Sequence, residues 1–342
     1  MKTIQADEFL KLGEQSTIMD VRSPGEYEKG HIPGAVNLSV FDNNERAIIG
    51  VLYKNQGRQD AIRKGLELIA PKMTSMVDKA MELAKNNTIL VHCWRGGMRS
   101  SSVAWLLEIS GLEAYVMEGG YKAYRSFIRQ DLLVNRQVVV LGGLTGSGKT
   151  KLIQALAQAD EPVIDLEGLA NHRGSVFGAA GLSDQPSTEH FENLLYAEMQ
   201  KMPAGSAVWL EDESKRIGSV FLPDDFYKQL RITHLAFVQV SDKERTDILV
   251  EEYGAQPADE LAEAIKRLKQ RLGGLITQKA LGSLAEKKYG DVVSLLLPYY
   301  DKLYKEGLSK RDQEKVHMID LSHTSDNERI NLLRKFRLSV ET

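Results

Sequence analysis

The chain has 342 residues, 42% hydrophobic, 27% charged and 7% aromatic. That is ordinary globular composition, which excludes a fibrous or disordered chain, and the length suits two domains, or three. Forty-four Lys and Arg against 47 Asp and Glu leave a net charge of −3, which gives no bulk attraction for nucleic acid, although a local basic groove remains open. No apolar run has the length of a membrane span, the start MKTIQADEFLKLG lacks the apolar core of a signal peptide, and the lone Cys93 excludes an internal disulfide or a cysteine zinc cluster. A cytoplasmic protein with no membrane association is expected.

In chain order, short apolar runs alternate with amphipathic ones. Thr17–Asp20, Ala35–Asn37, Thr88–His92 and Ala114–Met117 read as strands; Ala6–Leu12, Pro24–Lys29, Met73–Lys85, Arg99–Ile109 and Gly120–Arg129 read as helices. The polar residues up to Asn135, followed by the strand-like run from Gln137 to Leu141, place a boundary near Leu132–Arg136. The predicted domains are therefore residues 1–131 and 132–342. In the second, Val138–Leu141, Val163–Asp165, Ala207–Leu210 and Leu235–Val240 read as strands; beyond Asp242 the pattern turns helical, with a late strand at His317–Leu321. Strands alternating with helices predict an α/β fold with parallel sheets covered on both faces.

Cys93 stands between the strand Thr88–His92 and the helix that begins near Arg99, in the run Cys93-Trp-Arg95-Gly96-Gly97-Met98-Arg99-Ser100. There, backbone N–H groups converge at the positive end of a helix and two glycines let the backbone wrap an anion. Arg95 and Arg99 add positive charge, and all of this favours the reactive thiolate over a merely buried cysteine. The motifs Asp20-Val-Arg22-Ser-Pro24-Gly-Glu26-Tyr27, Gly30-His-Ile-Pro33-Gly34 and Met117-Glu-Gly-Gly-Tyr121 flank this loop, and together they resemble the rhodanese (sulfurtransferase) family over about residues 1–130. That resemblance implies a persulfide, or a selenium analogue of one, on Cys93. Five residues separate Cys93 from Arg99, one more than in common single-domain sulfurtransferases. The spacing resembles the rhodanese-like phosphatases and arsenate reductases, and it implies a loop wide enough for a tetrahedral oxyanion, held by Arg95, Gly96, Gly97, Met98 and Arg99. A phosphatase therefore competes as a reading of this domain alone.

Gly143-Leu-Thr-Gly146-Ser147-Gly148-Lys149-Thr150 fits the P-loop pattern and has the strand before it and helix after it that the pattern needs. Its N–H groups should cradle phosphates, Lys149 should bridge their oxygens, and Thr150 should ligate Mg²⁺. At the end of the strand Ala207–Leu210, Glu211 and Asp212 are candidates to order the metal, Asp212 being preferred, against the alternative of a solvated acidic turn. Asp165, His172, Arg173 and Arg216 are candidate substrate-binding residues, and the polar stretch Gly174–Thr188 reads as a substrate-covering loop. Lys266, Arg267, Lys269 and Arg271 share adjoining parts of a helix face and are candidate contacts to nucleic-acid phosphates, with a solvated face as the plainer alternative. Tyr299, Tyr300 and Tyr304 share helical spacing with Leu295–Leu297, which favours core packing over base stacking.

The two domains in this order, with His172-Arg-Gly-Ser-Val-Phe-Gly178, Gln185-Pro-Ser187 and Trp209-Leu-Glu-Asp-Glu-Ser214-Lys-Arg-Ile-Gly218, resemble the bacterial tRNA 2-selenouridine synthase family over nearly the whole chain. The resemblance implies a rhodanese-like domain followed by a P-loop domain with a helical C-terminal part. It also implies a transferase that exchanges the 2-thio group of a wobble 2-thiouridine in tRNA for selenium from selenophosphate, and that geranylates the same sulfur from geranyl diphosphate. The P-loop would then hold the diphosphate with Mg²⁺, Cys93 would carry selenium or position its donor, and no organic prosthetic group is expected. Two other readings stay open: an ATP-dependent sulfurtransferase with persulfide on Cys93, and a nucleotide-sensing rhodanese regulator.

Overall fold

The computed structural model describes residues 1–132, 137–172 and 184–341; Arg173 and most of the expected covering loop lie outside the described residues. The chain forms two compact units, Met1–Asp131 and Leu132–Thr342.

The first unit is built on five strands, β1 (Lys2–Ile4), β2 (Thr17–Asp20), β3 (Val36–Asn37), β4 (Thr88–His92) and β5 (Glu113–Met117). They pair in parallel in the order β1-β5-β4-β2-β3. β4 lies at the centre because Ile89, Leu90, Val91 and His92 are all buried, the run of burial expected of a strand covered on both faces. Ile89 and Val91 pack with Val103 and Leu107 of the helix Met98–Ile109, and with Phe41 and Met76. His92 meets Phe9 and Tyr121, rings from the helices Ala6–Gly13 and Gly120–Asp131. Helices Asn43–Asn55 and Arg58–Ile69 and strand β1 were not expected from the sequence. The first of these helices leaves Ile48, Val51 and Tyr53 exposed, so its apolar residues do not fall on one stripe; a capping box between Asp42 and Glu45 starts it instead.

The second unit has a four-stranded parallel sheet in the order β11-β10-β6-β7, from β6 (Val138–Gly143), β7 (Val208–Glu211), β10 (Leu235–Gln239) and β11 (Val316–Asp320). A small antiparallel ribbon joins β8 (Arg216–Ile217) to β9 (Val220–Phe221). The expected strand Val163–Asp165 is reduced to one bridge, Val163 to Trp209. Pro162 supplies no N–H, and Asp165 turns the chain into a helix by capping Leu166–Leu169. After β10, helices Asp242–Gly254, Ala258–Arg267, Gly274–Ala285 and Tyr289–Ser309 share a core of Leu249, Leu261, Ile265, Val292, Leu296 and Tyr300. No described helix is long and apolar enough to cross a membrane.

Candidate functional site

The loop at Cys93 is held by backbone before any side chain acts. Tyr121 N–H donates to Cys93 C=O at 2.8 Å and Lys122 N–H to Trp94 C=O at 3.0 Å. Gly96 has a φ of +63°, and a Cβ there would lie 2.5 Å from the Met117 carbonyl oxygen, so only glycine lets the loop lie this close to the end of β5. Gly97, by contrast, has open space where a Cβ would stand. Cys93 Sγ is 3.2 Å from Ser100 Oγ and Gly97 C=O is 3.1 Å from it, so the one hydroxyl proton of Ser100 goes to the carbonyl beside the neutral thiol and to sulfur beside the thiolate. Burial works to raise the thiol's pKa, but the Ser100 hydroxyl, the N–H groups of Arg95 and Ser100 and the charge of Arg99 outweigh it and hold the thiol below its ordinary value.

Arg99 is aimed by Glu26, which accepts from both of its terminal nitrogens at 2.7 and 3.3 Å. Arg46 adds a third contact to the same carboxylate at 3.6 Å. Burial works to raise the Glu26 pKa, but these guanidinium groups and the Ser23 N–H keep it ionised below the usual range. Beneath the loop, Asp20 and Arg22 form a fully buried pair, with Arg22 Nε and Nη2 at 2.9 and 2.6 Å from Asp20 Oδ2. Arg22 also donates to Gly30 C=O at 2.7 Å and lies 3.8 Å from the Tyr121 ring centre. The first motif of the chain therefore acts as scaffold, fixing the turn before β3 to the end of β2.

In the second unit, Gly148 caps the helix Lys149–Gln158, so Lys149 and Thr150 open its first turn, where unpaired N–H groups and the helix dipole favour an anion. Gly146 has a φ of +78°, and a Cβ there would lie 2.7 Å from the Arg245 carbonyl oxygen. Arg245 braces the loop from outside: its Nε donates to Thr145 C=O at 3.0 Å while its terminal nitrogens reach Asp301 at 2.5 and 3.2 Å. Lys149 Nζ turns back to Gly143 and Leu144 C=O at 2.9 and 3.4 Å, 5.1 Å from the Tyr304 ring centre. Burial would lower its pKa, but Tyr304 and the acids Glu167, Glu213 and Asp212 raise it, and the ammonium stays charged. Ser147 Oγ is buried with no hydrogen-bond partner among the described residues.

Asp212, expected to order Mg²⁺, is otherwise engaged. Its Oδ1 accepts from Arg231 at 3.1 Å and Arg311 at 2.5 Å. The carboxylate beside Thr150 is Glu167, which accepts from the Thr150 hydroxyl at 3.1 Å. Burial raises the pKa of Glu167 and pushes that of Glu213 well up, with the charge of Glu167 adding to the effect on Glu213. Glu211 accepts from Leu166 N–H at 2.7 Å, and burial with its acidic neighbours likewise raises its pKa. Among the described residues no group of three or more His, Cys, Asp or Glu is arranged as a metal cage. One hydroxyl and one carboxylate suit Mg²⁺ all the same, because that ion usually takes one or two carboxylates and fills its shell with water and substrate phosphate. Glu167 was missed in the sequence; its one signal is its place two residues past Asp165.

The remaining candidates divide. Asp165 caps its own helix, accepting from Gly168 N–H at 2.6 Å. His172 is buried, and Gln185 ties its surroundings together by donating to Ala170 and Ile217 C=O and accepting from Ser219 N–H at 2.6 Å. Arg216 is exposed and donates to Gly218 C=O at 2.6 Å. Lys266 and Arg267 end one helix and Lys269 and Arg271 lie in the next, so the single face expected of them breaks at Leu268, which is buried and closes the first helix. All four are exposed; Lys266 pairs with Glu263 at 2.7 Å and Arg271 donates to the Tyr299 hydroxyl at 3.1 Å. Tyr300 belongs to the helical core.

A glycine loop around a lone cysteine in the first unit and a loop of P-loop pattern in the second define the class: a two-domain protein that joins a rhodanese-like unit to a P-loop-like one. Residues 5–127 match the model of the rhodanese-like domain, and residues 136–326 match that of the tRNA 2-selenouridine synthase AAA domain. A tRNA 2-selenouridine synthase of Sulfurovum sp. (strain NBC37-1) is 34% identical over 337 residues, covering 88% of this chain and 91% of its own. Among solved structures, the N-terminal domain of a Clostridium difficile 630 protein described as ATP/GTP-binding is 41% identical over 37% of this chain and 98% of its own, with a TM-score of 0.35. A rhodanese-like domain protein of Staphylococcus aureus is 26% identical over 36% of this chain and 91% of its own, with a TM-score of 0.24. The chain belongs to the tRNA 2-selenouridine synthase family.

Proposed function

We propose that this protein converts the wobble 2-thiouridine of tRNA to 2-selenouridine in two transfers, using geranyl diphosphate and then selenophosphate. The observation that supports this most is the thiol of Cys93, held below its ordinary pKa in a glycine loop despite burial, in a chain that also carries a P-loop lysine held charged among buried acids.

In the first transfer the 2-thio sulfur attacks C1 of the geranyl group, the C1–O bond breaks, diphosphate leaves with the electron pair, and N3 of the base gives its proton to solvent. The N–H groups of residues 143–150 and the Lys149 ammonium meet the charge that grows on that leaving group, which is where electrostatic stabilisation contributes most to rate. Mg²⁺, held by Thr150 and Glu167 in place of the expected Asp212, would supply further Lewis-acid neutralisation there. Arg245 and Asp301 keep the loop in shape.

In the second transfer the Cys93 loop takes the phosphate end of selenophosphate, with Arg95 and Arg99 as counter-charges. A thiocarbonyl sulfur leaves poorly, whereas an alkylated one leaves as a thiolate. Direct displacement by selenophosphate needs only water to finish. A selenium relay on sulfur would need a second thiol to release it, and this chain has one cysteine. We therefore assign Cys93 to hold and orient the donor. Lys266, Arg267, Lys269 and Arg271, all exposed, are proposed to track tRNA phosphates.

The deciding experiment incubates the protein with 2-thiouridine tRNA, geranyl diphosphate and selenophosphate, omits one reagent at a time, and reads the nucleosides by mass spectrometry. Omitting selenophosphate should leave S-geranyl-2-thiouridine; omitting geranyl diphosphate should leave the starting nucleoside. ATP consumption with no need for selenium would overturn the proposal in favour of an ATP-dependent sulfurtransferase. Cys93→Ser should abolish selenation and spare geranylation; loss of both in a folded variant would refute the division between the sites.

A further inference from the structure

The N-terminal unit holds a second concavity beside the Cys93 loop. Helices Asn43–Asn55 and Arg58–Ile69, with the first turn of Met98–Ile109, enclose a cavity of about 230 Å³. Its lining includes Tyr53, Leu66 and Met98, which are 59%, 63% and 49% exposed, together with Arg46, Arg58 and Arg99. Scattered exposed apolar residues are ordinary on a protein surface, but three of them converging on one hollow give it an accessible apolar lining.

Two further observations say what the hollow takes. It is continuous with the thiolate loop: Met98 and Arg99 follow Gly97 directly, and Arg99 lines the hollow while its charge acts on Cys93. Its chemistry is amphiphilic, an apolar floor under cations: Arg46 and Arg99 share Glu26, and Arg58 Nη2 lies 3.7 Å from Met98 Sδ. The volume is below the roughly 300–1,000 Å³ of pockets for drug-sized ligands. It suits a short hydrocarbon chain attached to an anionic body.

Resting on the function proposed above, we propose that this groove receives the geranyl chain of the S-geranylated nucleoside during selenium transfer, which makes the alkylated tRNA the preferred substrate of the Cys93 site. In that step selenium of selenophosphate attacks C2 of the base and the C2–S bond breaks. Geranylthiolate leaves with the electron pair and takes a proton. Water then cleaves the Se–P bond, releasing phosphate and leaving C2=Se with a proton on N3, so no net oxidation or reduction occurs.

Leu66→Asp and Tyr53→Ala, in the full-length protein, test this with an anticodon-loop RNA carrying either S-geranyl- or S-methyl-2-thiouridine, each with selenophosphate. On the geranylated RNA the variants should lose about tenfold in kcat/KM, mostly through KM, as expected when part of a chain's apolar contact is removed. On the S-methyl RNA, and in geranyl transfer from geranyl diphosphate to 2-thiouridine RNA, they should match the unmodified protein. Equal selenation of geranylated RNA by variants and parent would overturn the groove assignment while leaving the two-transfer reading intact. Equal loss on both alkylated RNAs would overturn it too, and would point to a surface for RNA or a protein partner. An unmodified protein that fails to selenate the geranylated RNA would overturn the reading and the groove together.

Discussion

At the scale of single residues, the titration of Cys93 and of its chain neighbour His92 is set by burial on one side and by the surrounding polar groups on the other. Cys93 is buried, which opposes ionisation, yet its thiol is lowered because Ser100, two N–H groups and Arg99 stabilise the thiolate. The thiolate should therefore persist to lower pH than a free cysteine, and its reactivity should fall as pH drops through the depressed value. The rate of alkylation by iodoacetamide against pH should have its midpoint below the ~8.5 of an ordinary thiol, and Ser100→Ala should move that midpoint up. His92 shows the opposite balance. Complete burial pushes its pKa down to about 4, against the pull of Asp20. The unfolded chain binds this proton near pH 6.5 and the folded chain does not, so the stability contributed by neutral His92 is present above pH 6.5 and is lost as pH falls toward 4. The loss should amount to about 3 kcal/mol. Urea midpoints measured across that window should show the slope, and His92→Phe should flatten it.

At the scale of elements, each loop depends on a partner elsewhere in its unit. The Cys93 loop lies against the turn after β5, and Gly96 makes that approach possible. Gly96→Ala forces a side chain into a left-handed backbone and against a carbonyl, so it should destabilise the first unit by about 1–3 kcal/mol, read in chemical unfolding. The buried pair Asp20–Arg22 has no such tolerance: Arg22→Leu strands a carboxylate at 0% exposure and should cost about 3–5 kcal/mol. In the second unit the helix Tyr289–Ser309 supplies both Asp301, which anchors Arg245 against the P-loop, and Tyr304 over Lys149. Asp301→Asn should slow geranyl transfer several-fold without changing selenation of pre-geranylated RNA. The two rates, measured separately, distinguish a bracing residue from a general loss of fold.

For the molecule as a whole, two compact units each carry one of the two glycine loops, and the proposed chemistry gives each loop its own anionic ligand. Inorganic diphosphate with Mg²⁺ should slow amide hydrogen exchange at residues 143–150 and around Glu167, while thiophosphate, standing in for selenophosphate, should slow it at residues 93–99. Protection of both segments by either ligand would contradict separate sites. The features read correctly from sequence were those built from contiguous residues. The turn after β4 and the turn after β6 are written by glycines, a strand before and a helix after, so Cys93, Lys149 and Thr150 declare their places locally. The chain could not declare which distant side chains would meet them. Glu26 reaches Arg99, Glu167 reaches Thr150, and Asp212 is drawn away by Arg231 and Arg311, because packing brings together groups that no spacing rule relates. The basic run from Lys266 to Arg271 is likewise divided in the packed chain: one helix ends at Arg267, the next starts at Lys269, and the buried Leu268 stands between them. Local turn chemistry is set by a few consecutive dihedral angles, whereas ion pairing and burial are properties of the packed chain.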